Sequence, residues 1–193
     1  MSRNKVLLFV FNGFADWEPA YVMPEINKSG KYQIETVALT KEPVKSMGGL
    51  TVLPDKILED FRLEDLALFI LPGGTAWEEK KFKELIPVIQ QFKKEGIPIA
   101  AICAATTILA DAGLLDKISH TSNAKSYIKS SSTSYQGGDN YKDEPAVFDA
   151  NIITASGTAP IEFAREIFRL LSIYDEETLE KWFVLFRHGI WPW

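Results

Sequence analysis

The sequence changes pattern within Gly96-Ile97-Pro98-Ile99-Ala100-Ala101-Ile102-Cys103-Ala104-Ala105-Thr106-Thr107-Ile108-Leu109-Ala110, at the single cysteine of the chain. The first part is apolar and rich in isoleucine, which is typical of a buried strand. The second part carries alanine and larger apolar side chains at helical spacing, and no polar loop separates the two parts. We therefore predict a strand that turns directly into a helix, a nucleophile elbow, with Cys103 at the turn.

Strand patterns alternate with helical patterns on both sides of this turn. Continuous apolar runs predict buried strands at residues 5–11 and 66–71, and a further strand is predicted at 32–39. Helices are predicted over residues 17–29, 84–94, 161–171 and 175–187, and short strands at 117–122 and on both sides of a turn within 146–154. This alternation is typical of an α/β sandwich, in which helices cover both faces of a mostly parallel sheet.

The composition is that of one globular domain. The chain has 193 residues, of which 46% are hydrophobic and 24% charged. We predict a single domain over residues 1–193, with a core at about 5–171 and a C-terminal helix and aromatic tail at 175–193. The tail ends in Trp191-Pro192-Trp193. It either docks on the domain or forms a subunit interface, because so apolar a patch is rarely left exposed.

Charge and cysteine content exclude several classes of function. A net charge of -5 argues against a nucleic-acid partner, which would need a basic face. No run reaches the roughly 20 apolar residues that cross a bilayer, so we expect no membrane partner. A single cysteine precludes an internal disulfide, which suits the reducing cytoplasm. One cysteine and two histidines are too few for a closed zinc site, and we expect neither a metal nor a cofactor.

Four candidate site elements follow predicted strands, where the site of a parallel sheet is expected. They are Glu18, Gly73-Gly74, Cys103 and Asn123. A lone cysteine in an apolar run is more often an inert core side chain. Here, however, the start of the following helix would favour the thiolate of Cys103, and the N–H of Ala104 would hold an oxyanion.

For each of the other candidates, a purely structural role is an alternative to a role in the reaction. Gly73-Gly74 suits a simple turn after a strand, but glycine also lets the backbone aim an N–H at a ligand. Glu18 suits the first turn of a helix, but beside a thiolate its pKa would rise and it would act as an acid or base. Trp17 and Thr106 are candidates to line the pocket, although an aromatic residue at a helix start more often packs in the core.

The residues at these strand ends resemble the ThiJ/PfpI superfamily, which is related to class I glutamine amidotransferases. The resemblance rests on Phe11-Asn12-Gly13-Phe14-Ala15-Asp16-Trp17-Glu18, Leu71-Pro72-Gly73-Gly74, Ala101-Ile102-Cys103-Ala104-Ala105-Thr106 and Ser156-Gly157-Thr158. It implies a flavodoxin-like fold, usually dimeric. It also implies that Cys103 is the nucleophilic or oxidisable cysteine and Glu18 its carboxyl partner. The amides of Gly74 and Ala104 would form the oxyanion hole.

One position departs from the family pattern. Many members carry a histidine at the end of the strand after the elbow helix, where this chain has Asn123. His120 lies three residues earlier, which on a strand is about 10 Å away and on the opposite face. We therefore interpret His120 as a structural histidine, and expect Cys103 to work with Glu18 instead of a histidine. Asn123 would donate a hydrogen bond to a substrate or an oxyanion.

The resemblance leaves the reaction open, because members are reported as proteases, amidases, glyoxalases, deglycases and redox-sensing proteins. The first hypothesis is a homodimeric, cysteine-dependent hydrolase or lyase that acts on a small carbonyl or amide compound. The second is a non-enzymatic redox or stress-response protein, in which Glu18 stabilises an oxidised Cys103. A third is a binding module that has lost the family's activity.

Overall fold

The structure is a computed structural model that describes residues 3–58 and 60–193. The strands are β1 (Lys5–Phe9), β2 (Gln33–Ala38), β3 (Val44–Lys45), β4 (Thr51–Val52), β5 (Lys56–Ile57), β6 (Leu66–Leu71), β7 (Ile99–Ile102), β8 (Ala146–Asp149) and β9 (Ile152–Ala155). The helices are α1 (Val22–Ser29), α2 (Leu85–Lys94), α3 (Thr106–Asp111), α4 (Lys125–Ser131), α5 (Pro160–Leu170) and α6 (Glu176–His188). Strands and helices therefore alternate through most of the chain, as the sequence pattern indicates.

Seven strands form one sheet in the order β5-β2-β1-β6-β7-β9-β8. All neighbours run parallel except β8, which pairs antiparallel with β9. Strands β2 and β5 lie on one side of β1, and β6, which follows them in the sequence, lies on the other side of β1. The strand order reverses between β1 and β6, and sheets of this kind place their sites at the carboxyl ends of such strands.

Helices cover both faces of the sheet. Helix α5 packs against α1, α6 and β9, while α3 packs against α2, α4 and β7. Because both faces are covered, the central strands are apolar along their whole length, and every residue of β6 and β7 is buried. The predicted flavodoxin-like sandwich with a mostly parallel sheet is confirmed.

The first helix begins later than the sequence pattern indicates. The predicted helix over residues 17–29 is wrong in its first turns, because α1 starts at Val22. The Asp16 carboxylate accepts a hydrogen bond from the Ser46 hydroxyl at 2.6 Å and does not cap the helix. Glu18 consequently lies in a turn and not on a helix. The predicted end is confirmed, since Gly30 terminates α1 with a φ of 66°.

The strand predicted at residues 117–122 is wrong. Both edges of β7 are occupied, by β6 and β9, so the neighbouring positions in the sheet are taken. The N–H of Thr121 donates instead to the Thr154 hydroxyl at 2.8 Å, which ties the segment to β9. The segment still brings Asn123 to the carboxyl end of the sheet, where the elbow lies.

The C-terminal helix is buried against the domain, whereas the last residues stay largely exposed, although Trp191 and Trp193 line a cavity with Glu25 and Tyr174. Helix α6 is capped by Asp175, as predicted, and packs on α5 with the buried side chains of Leu179 and Trp182. Beyond it, Trp191 and Trp193 expose 71% and 57% of their surface. Of the C-terminal segment, α6 therefore packs on the domain as the first of the two interpretations predicts.

Candidate active site

Cys103 lies at a strained turn at the end of β7. Its φ of 61° is rare for a residue with a side chain, and a turn of 3₁₀ helix over Cys103–Ala105 leads straight into α3. The Thr106 hydroxyl holds the turn, since it donates to the Cys103 carbonyl at 2.7 Å and lies 2.7 Å from the Ser122 hydroxyl. Thr106 is itself fully buried. The predicted strand-to-helix turn is thus present, and Thr106 braces it from within.

Glu18 approaches Cys103 from the turn after β1. Its side chain is buried, and its carboxylate accepts a hydrogen bond from the Gly73 N–H at 2.5 Å. A Cβ at Gly73 would lie 2.7 Å from the Cβ of Cys103 and 2.9 Å from both carboxylate oxygens of Glu18. Atoms do not approach so closely, so a glycine is required where the two side chains pack against the backbone that follows β6.

Burial raises the pKa of both groups. Desolvation raises the pKa of Glu18 from 4.5 to about 7, although the Gly73 N–H and Cys103 both act to lower it. Desolvation, followed by the charge of Glu18, also raises the pKa of the Cys103 thiol above its ordinary value. The Ala104 amide at the helix start acts to lower the thiol pKa, as expected, but burial outweighs it, so the thiolate is not favoured overall. At neutral pH the thiol keeps its proton, while Glu18 titrates near neutrality.

Asn123 contributes a third group to the sulfur. Its side-chain nitrogen donates to the Cys103 sulfur at 3.4 Å, and its oxygen accepts from the Gly157 N–H at 2.9 Å. Because a backbone N–H can only donate, the Gly157 contact fixes which end of the amide faces the sulfur. A Cβ at Gly157 would lie 2.7 Å from that sulfur, so this residue also borders the site. The sequence predictions did not place Gly157 there; its position after β9 is the signal that was available.

The backbone at Gly74 is pressed against the loop after β1. Gly74 has a φ of 152°, and a Cβ there would lie 2.7 Å from both the Gly13 carbonyl oxygen and the Phe11 ring. In the described part of the chain, no backbone hydrogen bond uses the N–H of Gly74 or of Ala104. The Ala104 N–H instead faces the Cys103 sulfur and lowers the pKa of the thiol. The Gly74 N–H therefore has no backbone acceptor among the described residues, whereas the Ala104 N–H already contacts the Cys103 sulfur.

The family model that matches this sequence describes the DJ-1/PfpI family and covers residues 4–170. The chain belongs to the DJ-1/PfpI family. The "Uncharacterized protease YoaZ" of Bacillus subtilis (strain 168) is 39% identical over 96% of this chain and 91% of that protein. The "Glutathione-independent glyoxalase DJR-1.2" of Caenorhabditis elegans is 30% identical over 74% of this chain and 75% of that protein. A solved thiJ/pfpI family protein from Bacillus anthracis is 39% identical, with a TM-score of 0.92 over 98% of this chain and 92% of that one.

The DJ-1/PfpI match stops before α6. It ends at residue 170, the last residue of α5, whereas α6 begins at Glu176. Helix α6 nevertheless reaches the surroundings of the site, because its Arg187 forms an ion pair with Glu162 of α5 at 2.8 Å. Both residues line a cavity of about 300 Å³ that extends to Asn123. A segment beyond the DJ-1/PfpI match therefore lines a cavity that Asn123 also borders.

His120 stands apart from Cys103 in this DJ-1/PfpI protein. It is fully buried, and its ring nitrogens lie 2.8 Å from the Ile118 carbonyl and 2.6 Å from the Tyr135 hydroxyl. Burial lowers the pKa of His120, which favours the neutral ring. Both nitrogens are engaged within the fold, so the interpretation of His120 as a structural histidine is confirmed.

Trp17, next to Glu18, exposes 50% of its surface, so the alternative that it packs in the core is wrong. Its place beside the pocket stays a prediction. Among residues 3–58 and 60–193, no group of three His, Cys, Asp or Glu side chains is arranged to hold a metal ion. No helix in that part of the chain has the length and apolar character to span a membrane.

Proposed function

We propose that the protein is a cysteine-dependent enzyme, a lyase or hydrolase, that acts on small carbonyl compounds. The observation that carries the proposal is the packing of Glu18 and Cys103 against Gly73, with a Glu18 pKa of about 7. A carboxyl group with that pKa accepts and returns protons at neutral pH. The Cys103 thiol, whose pKa is raised, needs such a base next to it in order to attack a substrate.

The first step is the addition of Cys103 to the carbonyl carbon of the substrate. The sulfur–carbon bond forms while the carbonyl π bond breaks, and its electron pair moves to the oxygen. The thiol proton passes to the Glu18 carboxylate. The amides of Gly74 and Ala104 donate to the oxyanion, which then takes the proton back from Glu18. For an aldehyde the product is a neutral hemithioacetal, and Glu18 is again a base.

Asn123 cannot transfer protons, and this favours aldehydes and ketones over amides as substrates. The Asn123 amide stabilises negative charge on the sulfur, but it neither gives nor takes a proton. Cleavage of an amide also requires a proton on the leaving nitrogen, which a histidine supplies in Cys–His and Ser–His enzymes. His120 is engaged elsewhere, so Glu18 would have to serve both steps. The name glyoxalase of the C. elegans relative fits the carbonyl class, and the name protease of YoaZ fits the amide class.

A redox function of Cys103 is the second candidate. Protonated Glu18 would donate a hydrogen bond to an oxygen of an oxidised sulfur. Peroxides react with the thiolate, however, and the raised pKa of Cys103 leaves little thiolate at neutral pH. Glu18 can remove the thiol proton in either reaction, so the pKa alone does not separate the two functions. The enzyme is the first candidate because the relatives named above as a protease and a glyoxalase carry enzyme names.

Turnover assays with methylglyoxal, a small amide and an isonitrile test the proposal. We expect turnover of the aldehyde, its loss in Cys103→Ser, and a decrease of about 100-fold or more in Glu18→Gln. Glu25→Gln, which changes a carboxylate on α1, is the matched control and should retain activity. Turnover that survives Cys103→Ser would overturn the mechanism. If no compound is turned over while peroxide rapidly oxidises Cys103, the redox function replaces it.

We further propose that the protein is a homodimer of the cytoplasm, where its free thiol stays reduced. Four apolar side chains after β1 and around the β3–β4 hairpin are 45–68% exposed: Trp17, Met47, Leu50 and Leu53. The N–H of Met47 donates to the Phe14 carbonyl at 2.9 Å, which joins the two segments. Burial between two copies would remove this patch from water. Light scattering should give a dimer that Leu50→Glu dissociates; a monomeric wild type at micromolar concentration would overturn the proposal.

A further inference from the structure

The segment after β6 carries a run of four charged residues, Glu78-Glu79-Lys80-Lys81, next to the elbow. The residues before the run, Thr75–Trp77, form a turn of 3₁₀ helix that contacts the turn at Cys103–Ala105. Gly74, whose N–H is a candidate donor to an oxyanion, directly precedes this turn. The charged run therefore continues from a segment that borders the candidate active site.

Alternate members of this run make different contacts. Glu78 accepts a hydrogen bond from the Tyr127 hydroxyl of α4 at 2.9 Å, and Lys80 donates to Asp111 of α3 at 2.6 Å. The other two members form an ion pair with each other, and both of their side chains are more than half exposed. Lys80 has a φ of 56°, which is rare for a residue with a side chain. The backbone of the run is thus bent where it is tied to α3 and α4.

Tyr127 approaches the sulfur of Cys103 from α4. It lies in the first turn of that helix, four residues after Asn123, whose amide contacts the sulfur. Burial, followed by the hydrogen bond and the charge of Glu78, raises the pKa of the Tyr127 hydroxyl, and a negative charge on Cys103 raises it further. The hydroxyl is therefore within electrostatic reach of the sulfur. Its bond to Glu78 joins the two segments that border the elbow, one after β6 and the other at the start of α4.

We propose that the Glu78–Tyr127 hydrogen bond spans the entrance to Cys103 and restricts access to small molecules. Glu18, Gly73 and Gly157 pack against the cysteine and close the inner side of the site. Glu78 is exposed, so water competes for its carboxylate and the bond can open. A small carbonyl compound would pass the closed bond, whereas an extended chain such as a peptide would need it open. Applied to substrates, this inference rests on the proposed function; access to the sulfur does not.

Two neutral alkylating agents of different size test the bond. Iodoacetamide and N-pyrenyliodoacetamide carry the same reactive group, so the ratio of their rates cancels any change in the pKa of the thiol. We expect the pyrenyl reagent to gain about fivefold on iodoacetamide in Tyr127→Phe, which keeps the ring but loses the hydrogen bond, and more in Tyr127→Ala. Glu78→Ala should match Tyr127→Phe, and the double variant should show no further gain, because both changes remove the same bond. The matched control is Glu79→Ala, because Glu79 carries the same charge on the same segment but pairs with Lys81.

Turnover gives a second measurement, in which the same variants should gain activity on tert-butylglyoxal relative to methylglyoxal. A wild type without turnover counts against the proposed function alone, because the alkylation ratio is measured without turnover. A ratio that stays unchanged in Tyr127→Phe and Glu78→Ala, gains that add in the double variant, or an equal gain in Glu79→Ala would each overturn the restriction. If Cys103 reacts with neither reagent in any variant, another part of the fold limits access and the proposal fails. Glu78 is exposed, so its variant decides the matter even where Tyr127→Ala does not fold.

Discussion

The side-chain amide of Asn123 donates a hydrogen bond to the sulfur of Cys103 at 3.4 Å. The Gly157 N–H holds the other end of that amide at 2.9 Å. An amide keeps the same charge at every pH, so this contact stabilises the thiolate without titrating. Among the described residues, Glu18 is the carboxyl group that packs beside the sulfur, and the chemistry of the site depends on how that group is buried.

Replacing Asn123 by alanine removes a contact that lowers the pKa of Cys103. We expect the thiol pKa to rise further, and the rate of alkylation by iodoacetamide at neutral pH to fall about three- to tenfold. The rate measured against pH gives both values. Ser126→Ala, an exposed change on α4, should leave the profile unaltered. A wild-type profile in Asn123→Ala would show that the amide does not stabilise the thiolate.

Glu18 should make the folded protein less stable as the pH rises. Its pKa is raised from 4.5 to about 7 by desolvation, so folding favours the protonated form. The stabilisation is complete below pH 4.5 and is lost as the pH rises through about 7, by about 3 kcal/mol in total. Urea unfolding at pH 4 and pH 8 measures the difference. Glu18→Gln should reduce the pH dependence of the unfolding free energy by this amount. If the unfolding free energy changes with pH equally in both proteins, the raised pKa of Glu18 is contradicted.

Gly73→Ala should disrupt the site, because its Cβ would overlap both Cys103 and Glu18. We expect a loss of about 1–3 kcal/mol in the free energy of unfolding and a loss of turnover, since the two side chains must move apart. Gly138→Ala is the control. Its Cβ would meet only the flexible ends of Lys129, at 3.2 Å, and Lys125, at 3.7 Å, so both properties should change little. An active, stable Gly73→Ala protein would show that the contact is not required.

Variants of two neighbouring threonines can show whether the turn at Cys103 needs a side-chain hydrogen bond for activity or only for stability. Thr106 donates to the Cys103 carbonyl at 2.7 Å, and Thr107 donates to the Ala104 carbonyl at 2.8 Å. Each change to valine should cost about 1 kcal/mol in unfolding free energy. Only Thr106→Val should also reduce turnover, because it releases the strained turn at Cys103. Equal kinetic effects in the two variants would contradict this role of Thr106.

Local patterns were sufficient to predict much of the fold. The apolar run at residues 66–71 coincides with β6, and the change of pattern at Cys103 coincides with the end of β7. Such elements are predictable because a buried strand needs an unbroken apolar run and a helix needs its own spacing of side chains. The strand at 117–122 is the counterexample. Whether a short segment joins the sheet depends on a free edge, and β6 and β9 already occupy the edges of β7. Residues 117–122 pair outside the sheet instead, through a parallel bridge between His120 and Tyr141.

The sequence by itself determined the type of sheet, the position of the cysteine at its carboxyl end, and the strand β1 after which Glu18 lies. Only the tertiary structure decided their chemistry. Asp16 binds Ser46, 30 residues away, and this interaction leaves Glu18 in a turn. Gly157, 34 residues beyond Asn123, orients the amide. The pKa of Cys103 rises because the packed domain excludes water, and desolvation is a property of the whole fold that no local motif contains.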